Sequence, residues 1–268
     1  MDTILRDATT DQLASAIQGS LLGFFRLLGR DPGTEFREEN GISRWRTGIA
    51  HPLFNGVISA RLPRGDEGAL IQDTIAYFRT RGVGGITWWL EPGMKGVGWE
   101  DALVKAGLRR EADTPGMALD LNALAPAAVP AGLSIRAVDD LPGLRTWGSV
   151  FVPGYGLPLD WEAPLFNLFG GIGLGLPLRH YIGYLDEQPV STASLFLGAG
   201  AAGIYNIATL PEARGRGIGA ALTLAPLQDA REMGFRYGVL QSSEMGFPVY
   251  RRLGFEQLCV MEHYYWEK

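Results

Sequence analysis

Two cations set among three glycines, Arg214-Gly215-Arg216-Gly217-Ile218-Gly219, are the residues of this chain whose types and spacing best suit chemistry. Glycines at alternate positions accept positive φ and let the backbone come close to a ligand. A helix starting around Gly217 would direct free amides and the positive end of its dipole at the turn, where the two arginines add charge. The natural guest is an anionic phosphate group, and a pyrophosphate fits best. The competing reading is a glycine-rich turn ahead of an amphipathic helix, with no ligand at all.

The elements around the turn can be read from the same stretch. Ile204-Tyr205-Asn206-Ile207-Ala208-Thr209-Leu210 is rich in strand formers, and Pro211 removes an amide that a continuing strand would need. Beyond the turn, Ile218, Ala221, Leu222 and Ala225 recur at helical spacing. Pro226 then falls inside the helix, where a bend is expected. The unit is therefore strand, sharp turn, helix start.

The spacing Arg214-x-x-Gly217-x-Gly219, with Pro211 upstream, resembles the acyl-CoA signature of the GNAT superfamily of acetyltransferases. Tyr250-Arg251-Arg252-Leu253-Gly254-Phe255, about forty residues on, is similar to the family's Tyr-x-x-x-Gly-Phe segment. The resemblance implies that Arg214, Gly215, Arg216, Gly217, Ile218, Gly219 and Ala220 hold the CoA pyrophosphate. It further implies that backbone groups of Ile207, Ala208 and Thr209 pair with the pantetheine arm, that Ser243 borders the cofactor, and that Tyr250 protonates the departing thiolate. A phenol with a pKa near 10 keeps its proton at neutral pH and can donate it to a thiolate.

The function so implied is acyl transfer, of acetyl from acetyl-CoA as co-substrate, to an amine on a small molecule or peptide by direct attack. The strand departs from the family in carrying no carboxylate, since Tyr205 stands where glutamate is common; the proton acceptor would be a water held by Asn206 or Tyr205. A non-catalytic acyl-CoA-binding or sensing protein is the alternative. A dinucleotide fingerprint, Gly215-x-Gly217-x-x-Ala220 with Glu244 downstream, is disfavoured because too few residues follow Glu244 for the remaining parallel strands.

Across its 268 residues the chain is 46% hydrophobic and 20% charged, with a formal net charge of −5. That length suits two ordinary cores. The acidic balance and the lack of a basic face argue against a nucleic-acid partner. No run has the roughly 18 apolar residues of a membrane span, and Met1-Asp2-Thr3 does not open a signal peptide, so a cytoplasmic location is expected. The histidines His51, His180 and His263 are isolated and predict no metal site. The single cysteine, Cys259, reads as a structural thiol.

The expected fold class is α+β, with two tandem GNAT-like domains, each a mixed, mostly antiparallel sheet flanked by helices. The order helix, strands, helix, strand, helix, strand occurs twice. Residues 1–122 form a degenerate first domain, 123–132 an Ala/Pro-rich linker, and 133–268 the catalytic domain. In the first half Leu103 stands in the place of Tyr250, and Pro63-Arg64-Gly65-Asp66-Glu67-Gly68 in the place of the phosphate turn, where two carboxylates would repel a pyrophosphate. Trp147, Phe151, Tyr155, Trp161, Phe166 and Phe169 are read mainly as core, with some bordering an acceptor pocket. Phe169 to Pro177 is read as a flexible, apolar loop.

Overall fold

Leu13, Ile17, Leu21, Phe24, Phe25 and Leu28 share one face when Thr10–Leu28 is wound as a helix, α1. Thr9 starts it with a capping box: its side chain accepts from the Gln12 amide, and the Gln12 side chain accepts from the Thr9 amide. The computed structural model describes residues 3–39, 41–59, 67–90, 98–111, 113–124 and 129–268. The first half continues with β1 (Glu35–Glu39), β2 (Ile42–Arg46), β3 (Asn55–Ser59), α2 (Glu67–Thr80), β4 (Gly85–Leu90), α3 (Trp99–Lys105), β5 (Arg109–Arg110) and β6 (Thr114–Asp120). The second half runs β7 (Leu133–Ala137), α4 (Leu141–Tyr155), α5 (Glu162–Ile172), β8 (Leu178–Leu185), β9 (Gln188–Gly198), β10 (Ala201–Thr209), α6 (Ile218–Glu232), β11 (Tyr237–Gln241), α7 (Phe247–Arg252) and β12 (Glu256–Glu267).

Among the described residues all twelve strands belong to one sheet, ordered β1-β2-β3-β4-β12-β6-β11-β10-β9-β8-β7, with β5 beside β12. Pairing is antiparallel except at β3 with β4 and β10 with β11. The α+β architecture with a mostly antiparallel sheet is thus as the sequence predicts. The two halves exchange their last strands. β6, from the first half, lies between β11 and β12 of the second. β12 pairs with β6 through residues 256–261 and with β4 of the first half through residues 262–267.

Three cores follow from this sheet. One face of the second half buries Leu222, Leu227 and Ile218 of α6 against Ala202, Ile204 and Leu240. On the opposite face α1, α4 and α5 share a core that joins Phe24, Trp147 and Phe169 to Trp45 and Ile58 of the first half. The first half has a further core of Ile71, Ile75, Phe78, Trp88 and Trp99, completed by Tyr264 and Trp266 of β12. α6 runs unbroken through Pro226, which is buried, so packing offsets the roughly 3 kcal/mol that proline costs inside a helix.

The sequence also predicts a small antiparallel strand set from Gly41 to Leu62 and a helix from Ser243 to Leu253; these two expectations and the Phe169–Pro177 loop need correction. The sheet begins before Gly41, with β1, whose charged side chains pair with one another and with β2, as Arg44 does with Glu39 at 2.9 Å. Phe169 to Ile172 belong to α5 and not to a loop, because Leu165, Leu168 and Phe169 form a buried stripe; the chain leaves the helix at Gly173, φ 91°. α7 starts at Phe247 and not at Ser243. The Ser243 carbonyl and hydroxyl take the amides of Phe247 and Gly246, closing a turn ahead of the helix. The expected counterpart of the phosphate turn at Pro63–Asp66 and residues 125–128 of the linker lie outside the described residues.

Candidate functional site

β10 is made irregular at one place. Its register with β9 shifts between Tyr205 and Ala208, and Asn206 takes φ 54°, a conformation that asparagine tolerates better than other side-chain-bearing residues. β10 and β11 pair only through Ala202 with Gly238 and Gly203 with Val239. Beyond that they part, and among the described residues the β11-facing edge of β10 from Ile204 to Thr209 has no strand against it. The corresponding parallel pair in the first half, β3 with β4, stays joined over four residue pairs from Gly56–Thr87 to Ser59–Leu90. A parted pair exposes backbone donors and acceptors to an extended ligand, as an open sheet edge does.

The head of this cleft is the glycine turn. Pro211–Ala213 form a single 3-10 turn, and Arg214 leaves it extended. Gly215 and Gly217 then take φ of 75° and 79°, which is why side-chain-bearing residues are strained there. Gly217 begins α6 without a side-chain cap. The first intrahelical bond is from the Ala221 amide to the Gly217 carbonyl, so the amides of Ile218, Gly219 and Ala220 have no partner within the helix. Among the described residues the exposed Arg216 makes no hydrogen bond or ion pair. Arg214, by contrast, is engaged at both ends of its guanidinium. Its Nε donates to the Thr209 carbonyl at 3.0 Å and its Nη2 to the Gly154 carbonyl of α4 at 2.9 Å.

α4 lies directly on the cleft strand. A Cβ on Gly154 would meet the Ala208 Cβ at 3.0 Å, so any side chain there would push the strand away by a few tenths of an ångström. Beneath, Ser191 donates to the Ala208 carbonyl at 2.6 Å and accepts from the Thr209 hydroxyl at 2.9 Å. Gly154 and Ser191 hold this strand, yet sequence reasoning passes over both; Pro153-Gly154 inside a helix is the signal available for the first.

Tyr250 stands on α7, half-buried, its ring 5.8 Å from that of Phe255. Burial, with the phenol of Tyr155 nearby on α4, raises its hydroxyl pKa above the ordinary 10, so the proton is retained. Ser243 is exposed and serves the turn before α7. Of the aromatic group, Trp147, Phe151 and Phe169 are buried, Trp161 and Phe166 half-buried, and Tyr155 48% exposed. Tyr205, a candidate to hold a catalytic water, stacks on Phe24 at 4.5 Å, and its hydroxyl is bonded to Ser20 Oγ at 2.9 Å. Asn206 donates to Ser194 Oγ at 3.1 Å. Burial pushes the Cys259 thiol up to about 11, which makes it an inert packing group at neutral pH.

Residues 177–257 match the family model described as "Acetyltransferase (GNAT) domain". Among solved structures, a GCN5-related N-acetyltransferase from Kribbella flavida is 17% identical, with TM-score 0.69 over 92% of this chain and 94% of its own. A GCN5-related N-acetyltransferase from Sphaerobacter thermophilus is also 17% identical, with TM-score 0.65 over 98% and 94%. A tandem GNAT protein from the clavulanic acid biosynthesis pathway is 16% identical, with TM-score 0.61 over 97% and 94%. No curated protein matches by sequence. At these identities the structures establish a shared fold. Residues 177–257 thus match the GNAT acetyltransferase domain, and along nearly its whole length the chain has the fold of a tandem GNAT protein.

Proposed function

We propose that the second half transfers an acetyl group from acetyl-CoA to an amine by direct attack. The observation that carries this reading is the parting of β10 from β11 beside the glycine turn, whereas β3 and β4 stay paired over their described residues. The amides of Ile218, Gly219 and Ala220, with Gly215, Gly217 and the cation of Arg216, suit the pyrophosphate. Arg214 fixes the turn against α4 and adds its charge. The backbone of Ile207, Ala208 and Thr209 suits the amides of pantetheine, and Ser243 follows β11, the strand that parts from β10.

The amine nitrogen forms a bond to the acyl carbon, and the carbon–sulfur bond breaks as the tetrahedral intermediate collapses. Tyr250 gives its proton to the thiolate, and the amine's proton leaves through water. The engaged hydroxyl of Tyr205 and the lack of a carboxylate on β10 favour, as a second reading, a protein that binds acyl-CoA without turnover. Under either reading the domains remain 1–122 and 133–268 joined by 123–132, with an exchange of strands between them.

Thiol release from acetyl-CoA over a panel of amines, beside calorimetry with acetyl-CoA, tests both readings. Release that depends on an amine supports transfer. Tight binding without release supports the second reading, and no binding removes the site.

A further inference from the structure

Three polar side chains lie in a row across β8, β9 and β10 at the bulge. His180 is the register partner of Ser194, and Ser194 pairs with Tyr205, the last paired residue before Asn206. Asn206 Nδ2 donates to Ser194 Oγ at 3.1 Å, and Ser194 Oγ is 2.7 Å from His180 Nδ1. Thr192 donates to the Asn206 carbonyl at 2.9 Å. Asn206 is therefore held at both its side chain and its backbone.

The hydrogens in this row can be counted. A hydroxyl can accept twice, so acceptance from Asn206 leaves one choice; we assign the Ser194 hydrogen to Nδ1 of His180 and the imidazole's hydrogen to Nε2, whose surrounding aromatic rings suit an N–H better than a bare lone pair. Nε2 is buried and without a partner, with the rings of Trp147 at 4.6 Å and Phe169 at 4.9 Å from the imidazole. His180 is 1% exposed and Ser194 0% exposed. A buried, unpartnered polar group is costly, and an aromatic hydrocarbon would fill this volume without that cost. The service His180 gives in return is its Nδ1, which fixes the rotor of Ser194. Burial keeps the imidazole neutral, and only the neutral ring can accept there.

Asn206 Oδ1 has no hydrogen-bond partner among the described residues, and Asn206 stands three residues beyond Gly203, the last residue of β10 paired with β11. Building on the transfer reading above, we propose that Asn206 receives the acceptor's amine through Oδ1, with Ser194 and His180 as positioning residues that act through it. The class of acceptor follows. An uncharged amide can orient an N–H but cannot take its proton, so the site favours amines that are neutral at working pH over strongly basic alkylamines. A chain that ends in a neutral imidazole gives no counter-charge for an ammonium ion.

The test uses the full chain with weakly and strongly basic amines. For Asn206→Ala and Ser194→Ala, kcat/KM for the weakly basic acceptor should fall about 10- to 100-fold, the scale of a lost orientation, while acetyl-CoA affinity stays within twofold. His180→Phe should lower it in the same direction with melting temperature preserved, which a purely structural role would not do. Asn206→Asp, which adds a base, should move the preference toward the strongly basic amine and give the rate a new dependence on acid pH. Unchanged acceptor kinetics in Asn206→Ala and Ser194→Ala, with the wild type active, would overturn this inference alone. Losses that follow melting temperature or acetyl-CoA affinity would overturn it as well. A wild type that transfers to no amine would remove the transfer reading first, and this one with it.

Discussion

The guanidinium of Arg214 reaches across the cleft's head to the carbonyl oxygen of Gly154, 2.9 Å away on α4, while also holding Thr209 of the strand below. The arginine that a signature would assign to phosphate is thus also a clamp between turn, strand and helix. Arg214→Ala should weaken acetyl-CoA binding and lower stability together, by roughly 1.5–3 kcal/mol, the range for hydrogen bonds to a charged group. Arg216→Ala should weaken binding only, and more so at low salt. Calorimetry and thermal unfolding separate the two; equal melting temperatures for both variants would contradict the clamp.

Tyr250→Phe keeps the ring beside Phe255 and removes only the hydroxyl. Were that hydroxyl the acid, kcat should drop by roughly 10²- to 10⁴-fold while acetyl-CoA affinity and melting temperature hold. Turnover at the wild-type level would leave Tyr250 as a packing residue.

Stability toward acid should carry the mark of His180. Burial alone holds its pKa down to about 3, with no charged neighbour contributing. Between about 6.5 and 3 the unfolded chain binds a proton that the folded chain does not, so stability falls as pH drops through that window and is flat above it. The slope from this one group is at most ~1.4 kcal/mol per pH unit. Urea unfolding of the wild type and His180→Phe from about pH 8 to about pH 4.5 should show curves that converge in slope above roughly pH 7 and separate below roughly 6. Identical slopes throughout would sink the prediction.

The strand exchange makes each half dependent on the other. Residues 131–268 alone lack β6, which leaves a gap between β11 and β12, and lack α1, whose Ile17, Phe24 and Phe25 cover the sheet. This fragment should aggregate, as size-exclusion chromatography would show. Ending the chain after Val260 removes Tyr264 and Trp266, 0% and 5% exposed, each worth roughly 1.5–3 kcal/mol of burial, from the first half's core. Trp88 should then lose its buried fluorescence; a native spectrum would show the exchange to be dispensable.

Much of this molecule is legible from periodicity and punctuation. The sequence predicts a helix from Thr10 to Leu28 and strands from Gly85 to Leu90 and from Tyr237 to Gln241, and α1, β4 and β11 fall there because an amphipathic stripe or a compact apolar run is bounded by a cap, a glycine or a polar turn. The tyrosine and glycine segments of the proposed site are recognisable by residue type and spacing. The exchange is not, because the alternation of residues 114–120 and 256–267 states that they are strands and says nothing about their neighbours. Nor are the partners of Tyr205 and Arg214, since Ser20 and Gly154 are 185 and 60 positions away. β1 escapes because its strand character rests on ion pairs rather than apolar residues.

The continuous strand β12 also imposes a timetable. β4, with Trp88 and Trp89, is made first, and the segment that covers its edge, residues 262–267, is translated some 170 residues later. At roughly 5–20 residues per second that interval is about ten to thirty seconds, in which the β12-facing edge of β4 lies open on the ribosome. For this chain, unlike a string of independent beads, synthesis of the second half is part of the folding of the first, and holdase chaperones or a slow codon before β12 would act on the N-terminal half's yield.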